Sequence, residues 1–151
     1  MSTDDIAALE ALEAQLVFDS FDLNDAWRLG SAAADIILEK EYSLAVQIVL
    51  AGRTVFKAAF NGVSQDTDPW LVGKSAAALR FESSSMLMRL RKDADPSVLD
   101  GVDPDLYRTH GGSVPIRVVG RGIVGTITVS GEPDVIDHAV AIEALQRTLS
   151  R

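Results

Sequence analysis

The chain contains no cysteine, so a disulfide framework and a thiolate metal site are both excluded. It has only two histidines, and aromatic residues make up 6% of its 151 positions. Long apolar runs are missing too: the longest uncharged apolar-rich stretch, Tyr42 to Gly52, is far short of the ~20 residues a bilayer span requires. Positive charge is scarce at the start. Residues 1–41 hold ten acids against Arg28 and Lys40, whereas residues 42–151 balance to zero, so the net charge of −8 sits in the first quarter. That acidic balance disfavours nucleic acid, whose phosphates it repels. The early acids also argue against a secretory signal, which needs a basic start and an apolar core. The expectation is a cytosolic protein with neither a membrane nor a nucleic acid as partner.

What is present fits one domain, 1–151, with enough apolar residues for a core (47% hydrophobic). Apolar spacing predicts a helix from Thr3, its cap, to Gln15, with Ile6, Leu9, Leu12 and Leu16 on one side. A short strand over 16–21 follows, then a helix capped by Asn24 and running to Lys40. Residues 44–50 and 54–60 read as a hairpin turning at Ala51-Gly52-Arg53. Asp68 and Pro69 open the longest predicted helix, to Arg91. Strands at 113–119 and 122–130 and a helix from Pro133 to Leu149 complete the order α-β-α-β-β-α-β-β-α. Paired hairpins alternating with helices imply an α+β fold built on a five-stranded antiparallel sheet.

The predicted long helix is apolar on two sides. Val72, Ala76, Leu79, Met86, Leu87 and Leu90 form one stripe, and Trp70, Ala77, Phe81 and Met88 the other. A helix on a sheet needs only one, so the second set is the candidate interface of a homo-oligomer. Ser83-Ser84-Ser85 lies mid-helix, where serine is mildly unfavourable, implying close packing or hydroxyls lining a pocket.

The chemistry concentrates between His110 and His138, a stretch with both histidines and six of the eleven glycines. Gly120-Arg121-Gly122-Ile123-Val124-Gly125 matches G-x-G-x-x-G, but a strand follows it where a dinucleotide site needs a helix. Ser130-Gly131 lacks the first glycine of a nucleophile elbow, since Thr128 stands there. No spacing supports a metal site. His110, next to Gly111-Gly112, is the accessible imidazole and the leading ligand contact. His138 aligns with Val135, Ile142, Leu145 and Leu149 on an apolar helix face, and Asp137 points elsewhere.

His110-Gly111-Gly112-Ser113-Val114-Pro115-Ile116-Arg117, then Gly125 to Gly131 and Asp137-His138, resembles the GlcG/HbpS-like superfamily, the haem-degrading domain. Trp70, Lys74, Ser84-Ser85 and Asp25-Ala26-Trp27 are similar to its branch of uncharacterised small cytosolic proteins. The resemblance implies a profilin-like fold, a closed homo-oligomer and haem as a cofactor, with His110, His138, Tyr42, Tyr107 or a methionine as iron ligand. Arg108, Arg117 and Arg121 would then meet the propionates. The candidate binding set is thus His110, Gly111, Gly112, Lys74, Arg117 and His138. Two other readings stay open: a structural or chaperone-like interaction module, and an enzyme with His110 as acid–base and Lys74 as anion anchor.

Overall fold

The computed structural model describes residues 3–150, except for the side chains of Thr3 and Asp4; the expected Thr3 cap therefore lies outside the described residues. In chain order the elements are α1 (Thr3–Ala14), β1 (Val17–Phe18), α2 (Leu23–Lys40), β2 (Ala45–Leu50), β3 (Arg53–Ala59), α3 (Asp68–Phe81), α4 (Ser85–Ala94), β4 (Ser113–Val118), β5 (Gly122–Ser130) and α5 (Asp134–Leu149). Short 3-10 turns at Gln65–Thr67 and Pro96–Leu99 flank the α3–α4 pair. None of the described helices is long and apolar enough to cross a membrane.

The α+β class and the hairpins stand as the sequence implies, with the strands in the spatial order β1-β4-β5-β2-β3. The sheet is mixed, however. Three pairings are antiparallel, while β1 runs parallel to β4 through Val17↔Arg117 and Phe18↔Val118. A hairpin turn dictates antiparallel pairing, but β1 and β4 are joined by most of the chain, so no turn fixes their direction.

Local chemistry moves two helix ends. The cap of α2 is Asp22 rather than Asn24: its carboxylate accepts from the Asp25 N–H at 2.8 Å, and the Asp25 carboxylate accepts from the Asp22 N–H at 2.9 Å. This reciprocal box satisfies two donors that a helix start otherwise leaves bare. The long helix expected over 69–91 is two helices. Glu82 takes a left-handed conformation (φ 52°) that ends α3, and the Ser84 hydroxyl caps α4 by accepting from the Leu87 N–H at 3.0 Å. The Ser84 N–H and hydroxyl each donate to the Glu13 carboxylate at 2.8 Å, which ties α1 to this joint. The serine run is therefore a helix junction.

The apolar core lies on one side of the sheet, beneath α2 and α5. Leu29, Ile37, Ile48, Ile116, Ile127 and Leu145 are its fully buried centre. On the other side α3 lies over β4 and β5. Beside the buried Leu71, Ala77 and Ala78 of α3 this layer holds two hydroxyl pairs: Ser75 Oγ of α3 meets Thr126 Oγ1 at 2.7 Å and, within the sheet, Ser113 Oγ meets Thr128 Oγ1 at 2.9 Å. All four residues are buried. Period-2 alternation sends Ile127 and Val129 to the apolar side and Thr126, Thr128 and Ser130 to the hydroxyl side.

Candidate functional site

At one end of the hydroxyl layer the sheet, α3 and the start of α5 enclose a cleft of about 400 Å³, within the usual size range of small-molecule pockets. Lys74 on α3 forms its floor. The side chain is almost wholly buried, and its ammonium donates to the Val129 carbonyl (3.2 Å), Ser130 Oγ (3.0 Å) and Asp137 Oδ2 (3.0 Å). Those three acceptors match its three N–H donors. Lys74 is thus already saturated and does not stand as a free anion anchor; it is the strut that joins α3, β5 and α5.

Asp137 is buried as well. Its second oxygen accepts from the Glu132 N–H at 3.1 Å, which fixes the turn between β5 and α5. Burial pushes its pKa up to about 6, against the opposing pull of Lys74, and burial likewise lowers the Lys74 pKa despite Asp137. Placing a buried ion pair in a cleft wall is costly, and such perturbed groups concentrate at functional sites.

His110 stands exposed at the mouth. Its ring meets Trp70 edge-on, with centroids 5.3 Å apart, and the Arg108 guanidinium covers the Trp70 ring at 4.2 Å. Partial burial lowers the His110 pKa, with Lys92 adding to the effect and Asp134 opposing it. The imidazole is therefore neutral near pH 7 and keeps a lone pair for a ligand. Its loop is pinned from behind: Asp134 Oδ2 accepts from the Gly111 N–H at 3.0 Å, while Arg89 holds Oδ1.

Gly112 shows why the glycine pair is needed. Its φ is 142°, and a Cβ there would collide with the Val129 carbonyl and come within 2.9 Å of Lys74 Nζ. Any larger residue would push the loop off the sheet.

The structure brings His110, Gly111, Gly112 and Lys74 together. Arg117 lies elsewhere, near the far end of β4, where its guanidinium donates to the Glu82 carbonyl at 2.8 Å and closes the end of α3. Arg121 sits in the β4–β5 turn at that same end. His138 does not line the cleft. Its Nδ1 is buried with no hydrogen-bond partner among the described residues, and burial pushes its pKa down to about 4, with Asp134 opposing. Tyr42 packs against the apolar core, and Tyr107 lies under the Arg80 guanidinium at 4.5 Å. Of the expected interface stripe, Ala77 and Met88 are buried within the chain, Phe81 is half-buried, and Trp70 is at the cleft. Sequence reasoning passed over Thr67, Glu132 and Asp134 as cleft residues. The turn Gly131-Glu132-Pro133-Asp134, an acid on each side of a helix-opening proline, was the available signal.

Fold and site together define an α+β protein with a histidine-bearing cleft at one end of its sheet. A family model described as haem-degrading HbpS-like protein matches residues 21–146, and the chain belongs to that family. A UPF0303 protein of Streptomyces coelicolor is 41% identical, over 94% of this chain and 92% of its own length. The crystal structure of the Ybr137w protein superposes with a TM-score of 0.90 at 29% identity, covering 99% of this chain and 90% of that one. A crystal structure of a PduOC–haem complex has a TM-score of 0.70 at 17% identity, with coverage of 84% and 94%; that likeness is one of fold.

Proposed function

We propose that this chain is a cytosolic, homo-oligomeric small-molecule-binding protein that takes haem, or another flat anionic ligand, in the His110 cleft. The observation that carries the reading is the solvent-facing imidazole of His110 edge-on to Trp70, on a loop locked by Asp134. Membership of the HbpS-like family supports haem as the ligand, and the lack of cysteine supports the cytosol.

The donor set suits a porphyrin in one orientation. His110 would ligate the iron, as a proximal histidine does, and Trp70 would flank the ring. The inner lining is acidic, with Asp66, Glu132 and Asp134, so carboxylates would be repelled there. Propionates would instead point outward to Arg108, which has no carboxylate partner among the described residues. Bound haem would supply a redox-active iron. The chain's own part is to ligate it, to orient it and to keep its acid groups outside.

The two tryptophans make a direct test possible, because Trp27 lies on α2 and only Trp70 lines the cleft. In a Trp27→Phe protein, haemin should quench the remaining indole saturably, with about one equivalent per chain. Quenching that is absent, or unchanged when His110→Ala is added, contradicts the reading.

A further inference from the structure

The acids in the cleft wall outnumber the cations that answer them. Lys74 is matched by Asp137, and Arg89 by Asp134. Asp66 and Glu132 line the same cleft with no basic partner among the described residues. Both are held in place. The Asp66 N–H donates to Ser64 Oγ at 3.1 Å, which fixes the 3-10 turn that carries it. Glu132 Oε2 accepts from the Ser43 N–H at 2.8 Å, and the Glu132 N–H donates to Asp137, so the side chain is anchored with Oε1 unused.

Thr67 is an independent sign of a ligand. It lies in the cleft wall at 7% exposure, and its hydroxyl has no hydrogen-bond partner among the described residues. A hydroxyl buried to that extent is stabilised by a partner, and the cleft is the open side. Ser130, also in the lining and buried, accepts from Lys74, while its own proton has no acceptor among the described residues.

We infer that the inner end of this cleft is a subsite for an organic cation with N–H donors, a protonated amine or amidine, held by Glu132, Asp66 and the Thr67 hydroxyl. Bonds between a cationic N–H and a carboxylate are roughly twice as strong as neutral ones. Acceptors that are already fixed lose little freedom when such a ligand binds. The described acidic and histidine side chains form no group of three that could hold a metal ion, whereas separate N–H donors can each take one acceptor. Two basic groups share the lining. Lys74 is neutralised by Asp137, and the lowered pKa of His110 leaves its ring uncharged near pH 7.

The subsite deepens the reading of the His110 cleft and rests on it. With Arg108 at the mouth and carboxylates within, the ligand that fits both ends is a flat zwitterion. Its acid points outward, its amine or amidine inward, and its ring lies beside Trp70 and His110.

Benzamidine, a flat ring with a cationic end, and benzoate, the same ring with an anionic end, are the probes. In the Trp27→Phe protein the single indole N–H resonance reports on Trp70. Benzamidine should shift it saturably, while benzoate at equal concentration leaves it in place. Glu132→Gln should weaken benzamidine at least about tenfold, since the amide keeps an oxygen for Ser43 and turns an NH2 toward the ligand. Asp66→Asn, at an exposed position, should weaken it as well. Haemin should still quench Trp70 in both variants, which shows that the cleft is intact. No response to benzamidine, an equal response to benzoate, or unchanged benzamidine affinity in both variants overturns the subsite alone when haemin quenching persists. A Trp70 that responds to neither benzamidine nor haemin overturns the cleft reading with it.

Discussion

The two faces of the sheet solve different problems with the same strands. Under α2 and α5 the residues are aliphatic and closely packed, and burial of that surface supplies stability. On the α3 side the buried Leu71, Ala77 and Ala78 of the helix are joined by hydroxyls and one ion pair, whose hydrogen bonds set positions at small net gain. The cleft lies at the end of the second face. An apolar layer would tolerate small shifts of the helix, whereas a hydrogen-bonded one fixes α3, and Trp70 with it, relative to His110.

This contrast can be broken by mutation. The largest effect is expected at the ion pair: Lys74→Met leaves Asp137 buried without its partner and should cost about 3–5 kcal/mol in urea unfolding. Adding Asp137→Leu should recover most of that loss. If the single substitution is harmless, the pair is not the strut. On the apolar face, Ile127→Ala should cost about 2–4 kcal/mol through the cavity it leaves, while haemin quenching of Trp70 stays as in wild type. Ser75→Ala comes next, at about 1–2 kcal/mol, because it strands the buried Thr126 hydroxyl. The double change with Thr126→Val should return close to wild type, whereas additive losses would show that the layer supplies stability in its own right.

The smallest effect is a pH slope. His138 is pushed down to about 4, so its contribution is complete above the ordinary histidine range near 6.5 and is lost as pH falls through about 4. Asp137, pushed up to about 6, acts in the opposite direction: its contribution is complete below the ordinary aspartate range and is lost as pH rises through about 6. The two slopes oppose one another between pH 4 and 6. His138→Gln should therefore gain in melting temperature relative to wild type as pH falls from 6.5 to 4. A constant difference across that range would mean that His138 is not held neutral by the fold.

Much of the architecture was legible because it rests on local signals. Alternating β-branched residues and glycine turns marked both hairpins, and the His110-Gly111-Gly112 loop was read as accessible. The break between α3 and α4 was hidden because a glutamate, Glu82, takes the left-handed position that glycine usually announces. The orientation of α3 was hidden for another reason: small hydroxyl residues read as surface, and only their partners on β4 and β5 turn them inward. Lys74 read as an anion anchor because Asp137, 63 positions away, cannot be paired with it from sequence alone. Arg117 lay close to His110 in sequence, yet β4 is extended and carries it to the other end of the sheet.

The central claim is that the His110 imidazole is a usable ligand at an open cleft, whereas His138 is packed away. Haemin titration followed at the Soret band, run in parallel on wild type, His110→Ala and His138→Ala, tests it most directly. The account predicts a saturable red shift in wild type and in His138→Ala, with at least a tenfold weaker affinity in His110→Ala. Equal binding by wild type and His110→Ala, or a loss confined to His138→Ala, would contradict it.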